Sequence, residues 1–522
     1  MVVRNEFNIL RKILIMKKYN LLKQVLTLVF TVFIVLGCSD KDLEVSFARQ
    51  TTDSFFSEEG AVSYDKAVIG GYAKLTQFYK HYTGVNATPP TYLQAIGLMR
   101  DDLLTSNQPD PYEVFGSLNA TDASNSTYYR LAYQLINRMN LVLGKMAEFG
   151  DEVFVGDEAP LKNTYEGEAR FLRAYMYFHL ALNYDTPPLI KESITSLDFL
   201  PSNSASGEVL DFAISELTAA IPLMPESWSD ANIGRATKGS ALGVLGKALL
   251  HRATINNYNV ADLTAAMDAL NQIEGLGYSL LPNFEDNFDG ENENTAESLF
   301  EIQFGQNEIQ NNIWVPIDDF GVIGDLGGYW GFFDGFFTTR MMVPSAKLQA
   351  AFEDGDPRKD MTFREGQIKK YIDKNVRIFP TDMNNARVIR YADVLLMKAE
   401  ATLMSGGDKG QAITMLNMIR ERARNSVDPA STVPADRDIM EADENTILQW
   451  IMDERVVELA AEESWRWYDL IRWNKAGKID ISSWDFSSDQ TINFDAGKHL
   501  LLPFPSSEVS LSNGGLVQNP SY

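Results

Sequence analysis

The sequence predicts a mainly α-helical fold in which pairs of helices are separated by long non-helical segments. Apolar residues recur at the i, i+3, i+4 and i+7 spacing that places them on one face of a helix, chiefly in residues 129–274 and 389–474. Residues 80–127 and 283–388 lack this pattern. Non-helical segments of such length in a compact domain are usually functional or contain short strands.

The first segment in chain order is typical of an export signal. Counted from Met16, three lysines precede an apolar run at residues 25–36, and Gly and Cys38 follow that run. The run is too short to span a bilayer stably. We therefore expect residues 1–37 to be a lipoprotein signal peptide that is removed, with Met16 as an alternative start to Met1.

Cys38 is the single cysteine of the sequence, so the chain has no intramolecular disulfide, CxxC redox pair or cysteine-rich zinc site. Its position resembles the lipobox of bacterial lipoproteins, in which this thiol is acylated and becomes the mature N-terminus. Residues 38–50 would then form an acylated tether, because two or more acyl chains anchor a protein stably. Residues 39–42 (Ser-Asp-Lys-Asp) resemble the tag that sends such lipoproteins to the outer face of the outer membrane. A signal peptide that ends near a cysteine by chance is the alternative.

The composition is acidic. The formal net charge is −25, and it becomes −30 when residues 1–37, with their six Lys/Arg residues and one Glu, are removed. A surface of this sign repels phosphate backbones, which argues against nucleic-acid binding. It suits a protein body that faces water outside the cell.

Three pairs of helices are predicted. The clearest pair lies on either side of the turn at Gly406–Asp408. A second pair joins residues 236–253 to 260–273, and helices near 129–147 and 165–183 form a third. Small residues at helix crossings are typical of tetratricopeptide-like units, although no clean period of about 34 residues is present. The apolar faces of the clearest pair consist of Ala392, Leu395, Leu396, Ala399 and Leu403 and of Ala412, Leu416, Ile419 and Ala423.

Several segments carry specific motifs, most clearly residues 390–401 (RYADVLLMKAEA) and 465–473 (WRWYDLIRW). Taken in order, these segments resemble the SusD/RagB family of outer-membrane nutrient-binding lipoproteins. The resemblance identifies the chain as a member of that family, and it extends over almost the whole mature chain. The other matching segments are 52–56, 167–175, 184–189, 234–239, 297–302, 454–455, 502–505 and 518–522.

The resemblance implies a single SusD-like domain at residues 51–522 with two layers. Tetratricopeptide-like helical hairpins, at about residues 129–274 and 389–474, support an irregular, loop-rich layer with short strands. That second layer, at about 80–127 and 283–388, is the one expected to hold the ligand. The charged residues of the family motifs are interpreted as structural ion pairs; they are Arg170, Arg390, Asp393, Glu400, Arg455 and Arg466.

The resemblance also implies a function. The protein is expected to be anchored in the outer membrane through Cys38, to face outwards, and to capture oligosaccharide or polysaccharide for a SusC-like TonB-dependent transporter without catalysis. Capture of a peptide or another non-glycan nutrient remains open. A glycoside hydrolase is less favoured, because a pair of carboxylates at hydrolase spacing arises easily among 71 acidic residues. A purely structural helical scaffold is the third alternative.

Residues 327–337 are the strongest candidate for ligand contact, since six aromatic residues and several glycines fall within them. Aromatic rings stack on the apolar faces of sugars, and glycine allows irregular backbone conformations. The alternative is that most of these rings form core beneath a long loop. From this run we select Trp330, Tyr329 and Phe333, and Trp314 is a comparable candidate. The resemblance adds Tyr112, Arg100 and Asp101, because family members bind glycan with polar residues from separated loops.

No metal, cofactor or catalytic site is predicted. The four histidines are scattered without a close-spaced ligand pattern. Residues 285–297 are acidic, but as a calcium-binding loop they would begin with Glu and have Ala296 at the twelfth position. Nucleophile-elbow, phosphate-loop and dinucleotide-binding motifs are also missing from the sequence.

Overall fold

The computed structural model describes residues 51–79, 100–105, 110–196, 198–289, 292–303, 343–364, 366–368, 370–371, 384–438, 443–462 and 465–522. Phe56–Tyr522 form one compact unit, and Met1–Phe55 form another, of which only residues 51–55 are described. The predicted signal peptide, Cys38 and the tether lie outside the described residues, so these assignments stay predictions.

The fold is mainly helical, which confirms the predicted fold class. Asp122 begins the long helix α4, because its carboxylate accepts a hydrogen bond from the Asn125 backbone N–H. Helices α2, α4 and α5 pack against one another. The first helices are α1 (Thr52–Glu58), α2 (Ala61–Thr76), α3 (Pro111–Val114), α4 (Ala123–Val153) and α5 (Ala159–Tyr184).

The predicted helix pair at 236–253 and 260–273 is present. It consists of α7 (Lys238–Ile255) and α8 (Val260–Asn271), which follow α6 (Glu208–Ala220). Thr237 and Ser240 form a capping box that begins α7. The two helices approach closely at Gly246, where an added Cβ would lie 2.4 Å from Leu270 Cδ2.

Among the described residues, six short strands form three antiparallel pairs. β1 pairs with β3, β2 with β6, and β4 with β5. The short helices α9 (Ala346–Ala351) and α10 (Arg358–Thr362) lie between β3 and β4 in the chain. The strands are β1 (Leu104–Thr105), β2 (Ser298–Ile302), β3 (Val343–Pro344), β4 (Phe363–Arg364), β5 (Gln367–Ile368) and β6 (Ala386–Arg390).

The second helical group packs the core that the sequence predicts most clearly. Its helices are α11 (Tyr391–Met404), α12 (Lys409–Asn425), α13 (Glu444–Leu459) and α14 (Trp465–Lys475), and α15 (Ser506–Leu511) follows near the chain end. The two predicted apolar faces are buried, which confirms the α11–α12 pair. The core cluster contains Ala392, Leu395, Leu396, Ala399, Leu403, Ala412, Ile413, Leu416, Ile419, Ile447, Leu448, Ile451, Met452 and Trp473.

Candidate functional site

Four of the predicted ligand-binding residues belong to residues 304–342. They are Trp330, Tyr329, Phe333 and Trp314, and they lie outside the described residues. Their contact with ligand therefore stays a prediction. The described residues on either side of this segment show where it joins the fold.

The first such place is the pair of strands β1 and β3. β1 lies shortly after residues 80–99, and β3 follows residues 304–342 directly. The Ser345 backbone N–H donates to the Leu103 carbonyl at 2.9 Å. The Ser345 hydroxyl donates to the Asp102 carbonyl at 2.8 Å. Two segments that the sequence assigns to the ligand-binding layer are thus attached to the fold at neighbouring points.

The second place is the pair of strands β2 and β6. β2 leads into residues 304–342, and β6 lies shortly after residues 372–383. The Asn385 side-chain amide donates to Glu301 Oε2 at 2.9 Å and to Gln303 Oε1 at 3.0 Å, which fixes the end of β2. We refer to the pairs β1–β3 and β2–β6 together as the loop platform.

Arg100 and Tyr112, two further predicted ligand residues, are buried, with 0% and 1% of their surface exposed. Arg100 donates to Asn183 Oδ1 at 2.6 Å, and its guanidinium lies 5.1 Å from the centre of the Trp467 ring. The Tyr112 hydroxyl donates to Asp122 Oδ1 at 2.5 Å. Arg100 therefore packs into the helical core, and Tyr112 connects α3 to the start of α4. Direct contact of either side chain with ligand stays a prediction.

Asp101, the last predicted ligand residue, is also buried. Its Oδ1 accepts a hydrogen bond from the Leu103 backbone N–H at 2.8 Å. Burial and the negative charge of Asp102 raise the pKa of Asp101 to about 8. The carboxyl group is therefore protonated at neutral pH, and its contact with ligand stays a prediction.

Asp102 was not among the residues predicted from sequence, and it has three side-chain partners just before strand β1 of the platform. Its carboxylate accepts from Arg466 Nε at 2.8 Å and Arg466 Nη2 at 2.9 Å. Lys347 Nζ and Trp484 Nε1 each donate to Oδ2 at 3.0 Å. Burial acts to raise the pKa of Asp102, but the charges and hydrogen bonds of Arg466 and Lys347 outweigh it and hold that pKa well below its usual range.

A buried group of ion pairs holds β6 against the helices. Arg390, the last residue of β6, pairs with Glu297 at 2.5 Å, Glu462 at 2.7 Å and Glu458 at 2.8 Å. Glu458 also pairs with Arg358 at 3.0 Å. Buried charges are tolerated only when they are paired in this way. The interpretation of Arg390 as a structural residue agrees with these contacts.

Aromatic residues in the described part of the platform region pack into the protein. The Phe115 ring lies between 5.1 and 5.8 Å from four other rings, measured between ring centres. These rings are those of Trp467, Phe486, Phe494 and His499. Phe115 is therefore part of an aromatic core cluster.

A cavity beside the platform is too small for a sugar. Its volume is about 30 Å³, and Asp101, Arg390 and Trp465 are among its lining residues. Space of this size holds about one water molecule.

Within the described ranges, no group of three or more His, Cys, Asp and Glu side chains is placed to hold a metal ion. None of the helices in this part of the chain combines the length and apolar composition needed to cross a membrane.

Comparisons with known proteins agree with this architecture. A family model described as the SusD family matches residues 342–522, and another, described as starch-binding and associating with the outer membrane, matches residues 73–250. SusD-like protein P2 of Formosa agariphila is 24% identical, over 97% of this chain and 100% of that protein.

Solved structures show the same fold. A SusD homolog from Bacteroides thetaiotaomicron has a TM-score of 0.73 and 20% identity, over 92% of this chain and 100% of that one. A structure named laminarin binding SusD-like protein has a TM-score of 0.66 and 24% identity, over 88% of this chain and 99% of that one. The class is therefore a mainly helical protein with short antiparallel strand pairs. The chain belongs to the SusD/RagB family.

Proposed function

We propose that the protein is a surface lipoprotein that binds oligosaccharide or polysaccharide and passes it to a SusC-like TonB-dependent transporter without breaking bonds. The observation that carries the proposal is the loop platform, which joins residues 80–99 and 304–342 to neighbouring points of a SusD-like fold. The matched family description, starch-binding and associating with the outer membrane, and the name of the laminarin binding relative support a glycan as ligand.

The ligand contacts in this proposal come from aromatic rings. Trp330, Tyr329, Phe333 and Trp314 supply flat surfaces that remove the apolar faces of sugar rings from water. Polar groups near the platform then bind the hydroxyls that stacking leaves free. The proposal needs no metal and no catalytic carboxylate pair.

The location follows from the N-terminal segment. Acylation of Cys38 would anchor the chain in the outer membrane, and the acidic residues after it would direct the protein outwards. A tether at residues 38–50 would keep the domain beside its transporter. The family description that mentions association with the outer membrane supports this location.

The test is isothermal titration of the mature protein, in detergent, against a panel of soluble polysaccharides. We expect one polysaccharide to bind, and we expect Trp330→Ala and Trp314→Ala each to weaken that binding by about tenfold or more, because removing a large apolar side chain from water is worth about 1.5–3 kcal/mol. Trp450→Ala is the matched control, since Trp450 is a half-buried tryptophan on α13. Its ring lies beside the Arg437 guanidinium. This control should bind as the wild type does.

Other outcomes would contradict the proposal in different ways. Release of reducing sugar during the titration would show a hydrolase. Binding of peptides together with failure across the glycan panel would show that the ligand is not a glycan. If the Trp330 variant, the Trp314 variant and the wild type bind equally well, the ligand-binding site lies outside residues 304–342.

A further inference from the structure

Asp102 connects four separate parts of the chain. Arg466 reaches its carboxylate from α14, Lys347 from α9, and Trp484 from the segment after α14. The backbone carbonyl of Asp102 accepts from the Ser345 hydroxyl at 2.8 Å. Each of these partners lies at least 243 positions from Asp102 in sequence.

The contacts of Asp102 are strong because the group is charged and shielded from water. Its side chain is 0% exposed, whereas the side chains of Arg466 and Lys347 are 14% and 29% exposed. Hydrogen bonds between ionised partners are shorter and stronger than neutral ones. Loss of the carboxylate would leave the Arg466 guanidinium, which lies largely inside the protein, without this counter-charge.

These partners lie where the predicted ligand-binding segments join the fold. Asp102 comes shortly after residues 80–99, and Ser345 and Lys347 come shortly after residues 304–342. The remaining ion-pair partner belongs to α14, which is part of the helical core. The Asp102 cluster therefore links both segment ends to a largely buried helix of the core.

We propose that Asp102 is a positioning residue for glycan binding, which fixes the ends of both ligand-binding segments on α14. This inference rests on the proposed function. A binding site needs its contact groups held in one arrangement, and it loses affinity when the supporting residues are lost even if every contact residue remains. Asp102 itself touches no ligand in this proposal.

The central variant is Asp102→Asn in the mature full-length protein, because asparagine keeps the shape and removes the charge. We expect the Kd for the bound polysaccharide to rise about tenfold or more, the loss that corresponds to one strong charge-assisted hydrogen bond. We also expect faster amide hydrogen exchange at residues 343–348 and 484–488, with unchanged exchange in α11 and α12. Exchange reports on the positioning of the segment ends without any ligand.

Glu168→Gln is the matched control. Glu168 is a carboxylate with 0% side-chain exposure on α5, and it pairs with Arg235 at 2.6 Å and accepts from the Tyr72 hydroxyl at 2.8 Å. Its partners, Tyr72 and Arg235, differ from those of Asp102, which are Arg466, Lys347 and Trp484. This variant should lower the melting temperature, yet leave the Kd and the exchange at residues 343–348 as in the wild type.

Trp484→Phe and Lys347→Met keep the test valid if Asp102→Asn does not fold. Each removes one donor and leaves the pair between Asp102 and Arg466, so a smaller rise of about threefold in Kd is expected. The inference is overturned if folded variants of Asp102, Trp484 and Lys347 keep the wild-type Kd, or if Glu168→Gln weakens binding equally. A wild-type protein that binds no polysaccharide overturns the proposed function instead, and hydrogen exchange then decides whether Asp102 positions the segments.

Discussion

Asp101 and Asp102 are neighbours in the chain and both are buried. At neutral pH the carboxyl group of Asp101 is mainly protonated and neutral, whereas that of Asp102 is ionised. Asp102 has Arg466 and Lys347 within hydrogen-bonding distance. Asp101 accepts from a backbone N–H and lies beside the negative charge of its neighbour. Burial acts to raise the pKa of both residues, and only the cations around Asp102 reverse this effect.

We predict that ionisation of Asp101 makes the protein less stable as the pH rises. The pKa of this carboxyl group is about 8 in the fold, against a usual value of 3.8. Its stabilising contribution is fully present below the lower value and is lost as the pH rises through the higher one. Asparagine cannot ionise, so the melting temperature of Asp101→Asn should fall less than that of the wild type between about pH 6 and pH 9.

Thermal unfolding at several pH values is the measurement. Asp268→Asn is the control, because Asp268 is exposed on α8 and its removal should leave the wild-type profile unchanged. Parallel curves of melting temperature against pH for Asp101→Asn and the wild type would contradict the prediction.

Some residue roles could be predicted from sequence, and their partners could not. Arg390 and Glu400 were expected in structural ion pairs because they lie in apolar helical motifs, and both are paired. Glu458, one of the three partners of Arg390, is far along the chain, so no local pattern indicates the pair. Asp102 was missed because its four contacts come from three distant segments, and only its position beside Arg100 and Asp101 could have suggested it.

At the scale of elements, the packing of α7 against α8 depends on a glycine of α7. An added Cβ at Gly246 would lie within 2.6 Å of two atoms of the Leu270 side chain on α8. We predict that Gly246→Val lowers the free energy of unfolding by about 1–3 kcal/mol, the usual effect of overpacking a core. Equilibrium unfolding in urea measures the change.

The control for this prediction is Gly144→Ala on α4. A Cβ at Gly144 would have nothing within 4 Å. Because glycine weakens an exposed helix by about 0.5–1 kcal/mol relative to alanine, this variant should be slightly more stable than the wild type. Unchanged stability of Gly246→Val would show that α7 and α8 can move apart without loss.

The helices could be predicted better than the strands for a physical reason. Helix periodicity is local, so the apolar faces of α11 and α12 are visible in sequence and are buried in the structure. β1 and β3 have two residues each, too few for an alternating pattern to appear. Their pairing depends on distant tertiary partners, which one sequence does not reveal.

At the scale of the whole molecule, charge should select among glycans. The formal net charge is −25. Near the platform, Lys347 on α9 and Arg466 on α14 are already paired with Asp102. We predict that a sulfated or uronic-acid polysaccharide binds at least about tenfold more weakly than its neutral counterpart at low salt, and that added salt narrows the difference.

Titration of one polysaccharide before and after chemical desulfation, at low and at high ionic strength, measures this difference. The desulfated polymer is the matched control, because it has the same glycosidic linkages as the sulfated polymer and differs only in the sulfate groups. Tighter binding of the sulfated form would contradict the prediction and would require an unpaired cation at the ligand contact.

The β1–β3 pair also has a consequence for the order in which the protein is made. Leu104 lies opposite Pro344, so the strands can meet only after the long stretch between them has been synthesised and exported. Closing so large a loop reduces the chain entropy before the strand contacts can stabilise the closed form. Neighbouring helices such as α11 and α12 form through local contacts instead. We therefore expect the helical hairpins to fold early and the platform late. A chain cut short before residue 343 would lack β3, and the β1–β3 pair of the loop platform would never form.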